Sequence, residues 1–172
     1  MLIRPARPDD AESIAAIYNH AVLETTATFD TVLKTPEDRR AWLAARRREH
    51  PVLVAEDADG SVAGWGAFSP WSDRCSYQAT VELSVYVDPA RLRRGIGTAL
   101  AEALLGQAPA LGIHVILSRI CTENVASMAM SEQLGFTLIG TMHDVGRKFD
   151  RWLDVALFEL IVPEYVRTPP VG

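Results

Sequence analysis

Residues 80–105, TVELSVYVDPARLRRGIGTALAEALL, constrain this chain more than any other stretch. Val81, Leu83, Val85 and Val87 alternate with Glu82, Ser84 and Tyr86. Period-two alternation rich in β-branched residues predicts a strand with one buried face. Asp88-Pro89 ends it, because proline has no N–H to give a ladder. Arg91-Leu92-Arg93-Arg94-Gly95-Ile96-Gly97-Thr98 follows, and Ala99, Leu100, Ala103 and Leu104 then keep helical spacing. A strand, a basic glycine turn and a helix start therefore come in succession. The helix start offers unpaired N–H groups and the positive end of the peptide dipole. Glycines let a ligand approach that backbone, so the expected occupant is a pyrophosphate.

Two common phosphate binders are excluded by spacing. The chain has no G-x-x-x-x-G-K-[ST] run, so a nucleoside-triphosphate P-loop is ruled out. It also lacks G-x-G-x-x-G here, since Leu100 stands where the third glycine would be. What remains resembles motif A of the GCN5-related N-acetyltransferases (GNAT), written (Gln/Arg)-x-x-Gly-x-(Gly/Ala). Gly95-Ile96-Gly97 matches its glycine end; Leu92 replaces the usual glutamine or arginine, and Arg93 a common glycine. Further segments look like the phosphinothricin and methionine sulfoximine acetyltransferases of that family. They are residues 17–23 (IYNHAVL), 25–30 (TTATFD), 80–87, and the Gly146-x-Lys148-Phe149-x-x-Trp152-Leu153-Asp154-Val155 run. Helix residues Met128, Leu134, Gly135 and Phe136 follow the family's motif B.

The resemblance implies an α/β fold with a mixed sheet flanked by helices, splayed at the central strand. It implies one acetyltransferase domain over residues 1–165, followed by a disordered tail over 166–172. It implies acetyl-CoA as co-substrate, no metal, a small amino-acid-like amine as acceptor, and a homodimer. On the cofactor side it points to Val85, Tyr86, Val87, Arg93, Arg94, Gly95, Ile96, Gly97, Thr98, Asn124 and Ser127, with the Val85 N–H as donor to the thioester carbonyl. On the acceptor side it points to Phe29, Arg74, Cys75, Ser76 and Tyr77, with Arg74 as a carboxylate partner. Lys148, Phe149 and Trp152 are expected either to close the pocket or to pack as an ordinary hairpin.

The transfer needs a base, because an amino-acid amine is an ammonium at neutral pH. Glu82 is the candidate: it points away from the buried valines, and a carboxylate on a mostly apolar strand is either partnered or pushed toward its neutral form. For protonating the leaving thiolate the choice is less well furnished. Ser131 stands where many relatives carry tyrosine or histidine, and Tyr86 is the substitute. Other readings stay open at this point: acetylation of another small amine or a peptide amine, and an acyl-CoA-binding sensor without turnover.

Charge narrows the partners. With a net charge of −5, the 172-residue chain does not read as a nucleic-acid binder. Its basic residues cluster at 46–48 and 91–94, which suits a small anion better than a polyanion. Two cysteines, Cys75 and Cys121, make no disulfide framework, so a reducing cytoplasm is expected. No apolar run approaches a membrane span.

The remaining elements follow from local signals. Residues 2–6 predict a strand, and Asp9 with Glu12 a helix start carrying Ile14, Ile17, Tyr18, Ala21 and Val22 inward. Thr35-Pro36-Glu37-Asp38 starts a second helix with Trp42, Leu43 and Ala45 inward and Arg46 to Arg48 as a solvated end. Residues 52–56 and 62–68 form a hairpin around Asp59-Gly60, with Gly64 and Gly66 marking a close approach or a bulge. A strand at 114–120, a helix capped by Asn124, and strands at 136–141 and 152–162 complete the chain, with 143–151 connecting the last two.

Overall fold

The computed structural model describes residues 1–163; the loose tail expected over 166–172 lies outside them. Seven strands form one sheet in the order β1-β2-β3-β4-β5-β7-β6. The strands are β1 (Leu2–Pro5), β2 (Val52–Glu56), β3 (Val62–Pro70), β4 (Thr80–Val87), β5 (Val115–Cys121), β6 (Thr137–Lys148) and β7 (Arg151–Ile161). Only β4 and β5 run parallel; every other neighbouring pair is antiparallel. The helices are α1 (Ala11–Glu24), α2 (Pro36–Ala44), α3 (Ile96–Gln107) and α4 (Val125–Gln133).

Helices cover both faces of the sheet. On one face, Ile96, Leu100 and Leu104 of α3 pack on Leu53, Phe68, Val81, Leu83, Ile116 and Phe158. On the other, Ile14 and Ile17 of α1 pack on Val52, Val54, Trp65 and Ala67, with Trp42 and Tyr86 alongside. Gly64 marks both a close approach and a register shift, since Ala55 pairs with Gly64 and Glu56 with Val62, while Gly66 marks a close approach alone. A Cβ on Gly64 would stand 2.9 Å from the Tyr86 carbonyl oxygen and 3.2 Å from Ile96, and one on Gly66 would stand 3.0 Å from Leu104. The two glycines let α3 sit down on β3, which fixes the height of its N-terminus above β4.

Several local expectations are corrected. Asp9 does not cap the first helix. A short 3-10 turn over Pro8–Asp10 precedes α1, and Asp10 turns back to accept the Arg7 N–H at 2.6 Å and the Arg4 guanidinium at 2.8 and 2.9 Å. The Thr35 capping box forms, with Thr35 and Asp38 each accepting the other's N–H. That helix ends at Ala44, however, so Ala45 lies exposed beyond it. Arg47 and Arg48 are solvated, but Arg46 folds back over Trp42 and donates to the carbonyls of His50 and Phe68.

The largest difference is at 143–151. The chain there is not a connector: β6 continues to Lys148 and turns through Phe149-Asp150 directly into β7. Both turn residues have positive φ, 52° and 58°, as the favoured two-residue hairpin turn requires.

Candidate active site

The site is an opening in the sheet. β4 and β5 pair only from Thr80 with Val115 to Glu82 with Leu117, although β4 continues to Val87 and β5 to Cys121. Backbone parity settles which groups face the opening. The Thr80 carbonyl accepts from Trp71 on the β3 side, Asp88 donates to Ala63 of that same side, and the Ala79 carbonyl accepts from His114 and Val115 on the β5 side. The β3–β4 register is unbroken between them. Successive residues of a strand direct their N–H and C=O to opposite edges. Hence Val85 and Val87 turn their backbone groups toward β5, where no ladder remains to take them.

Two cavities meet at this opening. The larger, about 910 Å³, runs from β4 over the start of α3 and along α4. Among the residues expected on the cofactor side, Val85, Tyr86, Val87, Arg93, Gly95, Ile96, Gly97, Thr98, Asn124 and Ser127 line it. Arg94 is exposed and stands off its wall. Arg93 and Gly95 both hold left-handed backbone, φ 61° and 73°, and the N–H groups of the first turn of α3 follow at once. Asn124 caps α4 by accepting the Ser127 N–H at 3.2 Å. Sequence reasoning missed Met130 and Arg151 on the same wall, where Phe149, expected either to close the pocket or to pack in a hairpin, also lies.

The smaller cavity, about 430 Å³, lies against Glu82, Ser84 and Tyr86 of β4, Ser118, Arg119 and Cys121 of β5, and Ser131 of α4. Thr26, Ala27, Thr28 and Phe29 close it from the segment after α1. Two of these, Thr26 and Ala27, border the larger cavity as well.

Glu82 has a partner that sequence reasoning did not name. Nε of Arg119 donates to one carboxylate oxygen at 2.7 Å and Nη2 to the other at 2.6 Å. The hydrogen bonds Arg119 donates to Glu82 raise its pKa above that of a free arginine. The guanidinium also lies 5.5 Å from the Trp71 ring centre. Tyr86 lines both cavities with its ring stacked on Trp65 at 4.7 Å and edge-on to Tyr18, and burial pushes its pKa well up. Ser131 is buried on the cavity wall.

The wall segment is fastened from β6. Lys148, 6% exposed, donates from Nζ to the carbonyls of Ala21, Thr25 and Thr28 at 3.1, 2.6 and 2.8 Å. The Phe29 ring lies on Gly146, where any Cβ would overlap it. Tyr18 adds bonds from α1 to Thr28 and Asp30 at 3.2 and 3.1 Å. Lys148 is thus an internal fastener of the pocket wall, while Trp152 is 62% exposed. Cys75, Ser76 and Tyr77 form a short exposed 3-10 turn with Arg74 at its start, and none of the four lines either cavity. No group of three or more His, Cys, Asp or Glu side chains is placed to hold a metal among the described residues. None of their helices is long and apolar enough to cross a membrane.

A mixed sheet opened beside its central strand, with a glycine turn and helix N-terminus above the opening, defines an acyl-CoA-dependent transferase fold. The chain matches the acetyltransferase (GNAT) domain over residues 3–157 and belongs to that family. It is 41% identical over 159 residues to an L-methionine sulfoximine/L-methionine sulfone acetyltransferase of Pseudomonas paraeruginosa, covering 92% of each chain. Among solved structures it is similar to yncA of Salmonella typhimurium, determined with its cofactor acetyl-CoA. That match has a TM-score of 0.94 and 38% identity, over 99% of this chain and 98% of that one. It is also similar to a GNAT superfamily phosphinothricin acetyltransferase from Sinorhizobium meliloti in complex with acetyl-CoA. There the TM-score is 0.92 at 32% identity, over 99% of this chain and 92% of that one.

Proposed function

We propose that this chain acetylates the amine of a small amino-acid analogue of the methionine sulfoximine, methionine sulfone or phosphinothricin type. The observation that carries the reading is the opening between β4 and β5, where an acceptor-sized cavity holding Glu82 meets the groove under α3. Acetyl-CoA supplies the activated acetyl thioester. The groove fits it: the first-turn N–H groups of α3 suit the pyrophosphate, and the Val85 and Val87 backbone suits the pantetheine arm. Asn124, whose Oδ1 caps α4, has its amide N–H₂ for the arm's carbonyls.

The residues divide the work by geometry. The Val85 N–H stabilises negative charge developing on the carbonyl oxygen, a contribution worth about 3 kcal/mol for one well-placed donor. Glu82 collects the amine's proton through water. Arg119 occupies one lone pair on each of its oxygens, and a carboxylate has about four such sites, so acceptor capacity for water remains. Ser131 is the hydroxyl able to pass a proton toward the departing thiolate, whose ordinary pKa of about 8.5 demands little help. Arg74, Cys75, Ser76 and Tyr77 form the outer approach to the acceptor side. The proposed assembly is a homodimer in the cytoplasm, supported by exposed Leu138, Ile139 and Val145 on the edge strand β6 and Trp152 on β7.

Thiol release from acetyl-CoA tests the reading, with methionine sulfoximine, methionine sulfone, phosphinothricin, a polyamine and a short peptide as acceptors. Turnover is expected on the first three. Glu82→Gln should lower kcat by about 10²-fold or more with acetyl-CoA affinity retained. Turnover confined to the polyamine or peptide would overturn the acceptor class, and an unchanged kcat would remove Glu82 as the base.

A further inference from the structure

Arg119 and Glu82 carry the only full charges on the wall of the smaller cavity among the described residues. Every other group there is apolar, hydroxyl, thiol or amide. The two charges come from the strands that part company, and their paired hydrogen bonds span the opening beyond the last β4–β5 ladder position. Glu82 is largely shielded, at 16% side-chain exposure, whereas Arg119 keeps 51%.

We propose that this pair is a receptor for the zwitterionic head of an amino acid: Arg119 takes the acceptor's carboxylate while Glu82 faces its ammonium. The proposal rests on the acceptor class given above and deepens it. Its basis is the guanidinium's geometry. An arginine offers five N–H donors in a planar fork. Glu82 uses the Nε–Nη2 edge. The Nη1–Nη2 edge is a second, separate two-donor face that suits a carboxylate bidentately. An α-amino acid holds its carboxylate and its nitrogen on one carbon. Anchoring the carboxylate on one edge of Arg119 therefore brings the nitrogen close to the carboxylate held on the other. Trp71 beside the guanidinium limits its swing. Charge balance agrees: the pair sums to zero, as does the zwitterion, so binding buries no net charge. Arg74, the carboxylate partner expected from sequence, stands on the exposed turn outside this wall.

The test is a selectivity ratio. kcat/KM is measured for methionine sulfone and for its decarboxylated amine, 3-(methylsulfonyl)propylamine, with the wild-type protein and with Arg119→Gln. The wild type should favour the amino acid, and the variant should lower that preference by about tenfold or more, the value of one lost charge-assisted pair. The loss should lie mainly in KM for the amino acid. Arg119→Lys keeps the charge but not the fork; it should lower the same ratio several-fold, and it decides the matter if the glutamine variant does not fold. If the wild type favours the amino acid and both variants keep the ratio while slowing on both acceptors, Arg119 only positions Glu82 and the receptor role is overturned. If the wild type shows no preference for the carboxylate, or acetylates neither compound, the acceptor class itself falls and the receptor with it.

Discussion

Replacing Lys148 with methionine should loosen a wall that both cavities share, the segment after α1. The substitution keeps the length and most of the volume of the side chain and removes only the ammonium. That ammonium holds three carbonyls, one in the last turn of α1 and two in the segment that follows. Hydrogen bonds to a charged group contribute about 1.5–3 kcal/mol each, so the three set a ceiling of about 4–9 kcal/mol. Against this stands the cost of burying the ammonium, several kcal/mol per ion; the direction of the Lys148 pKa, lowered by burial, reflects it. The cation also favours the C-terminal end of the α1 dipole. A net loss of about 2–4 kcal/mol results, corresponding to a Tm lower by about 4–16 °C for a chain of this size. Urea unfolding measures the loss directly. Because Thr26 and Ala27 border both cavities, KM should rise for acetyl-CoA and acceptor together. A stability change below about 1 kcal/mol with both KM values unchanged would refute the fastener argument.

Asp10 gives a pH-dependent companion. Burial opposes its ionisation, but the Arg4 guanidinium and the Arg7 N–H outweigh that and hold its carboxyl below the usual carboxylate range. A depressed folded pKa means the stabilisation is complete above the unfolded value of about 3.9 and is lost as pH falls through the folded one. Asp10→Asn should therefore cost about 3 kcal/mol at pH 7 and progressively less below pH 4; a difference between the two proteins that stays constant with pH would refute the ion-pair account. Sedimentation equilibrium should give twice the chain mass if β6 and Trp152 meet a second copy, and the single-chain mass would overturn that assembly.

How much could be read beforehand depended on whether the signal was local. β4, the turn and α3 were legible because each rests on neighbours in sequence: period two, then proline, then glycines at a helix start. The far end of the β6–β7 hairpin, over 143–151, was not, although its two strands are expected over 136–141 and 152–162. Nine consecutive exposed positions leave β6 without a buried face until Gly146, so the alternation that announces a strand is missing. Its register also shifts between Met142 and Gly146. The turn is a further disguise, since Phe149-Asp150 adopts the two positive φ angles that Asn-Gly normally signals. Lys148 could be placed near the pocket by likeness, but its partners lie more than 100 residues away along the chain, and nothing local names them.

The Arg119–Glu82 pair is the instructive case, because a signal did exist. Residues 114–120, HVILSRI, read as a buried strand with one arginine inside it, and residues 80–87 as another with one glutamate. A charge on such a strand must find an opposite charge or a route to water. Taken alone, Glu82 reads as a catalyst and Arg119 gives no local signal, although parallel strands joined by a single helix are commonly neighbours. Two lone charges of opposite sign on neighbouring strands predict each other. The same reasoning ties function to the defect in the sheet. Where β4 and β5 separate, the backbone ladder stops, and a side-chain pair takes over the crossing. Backbone bonds cannot be lent to a passing substrate without unmaking the sheet, whereas a guanidinium with a spare edge can hold Glu82 and an acceptor at once.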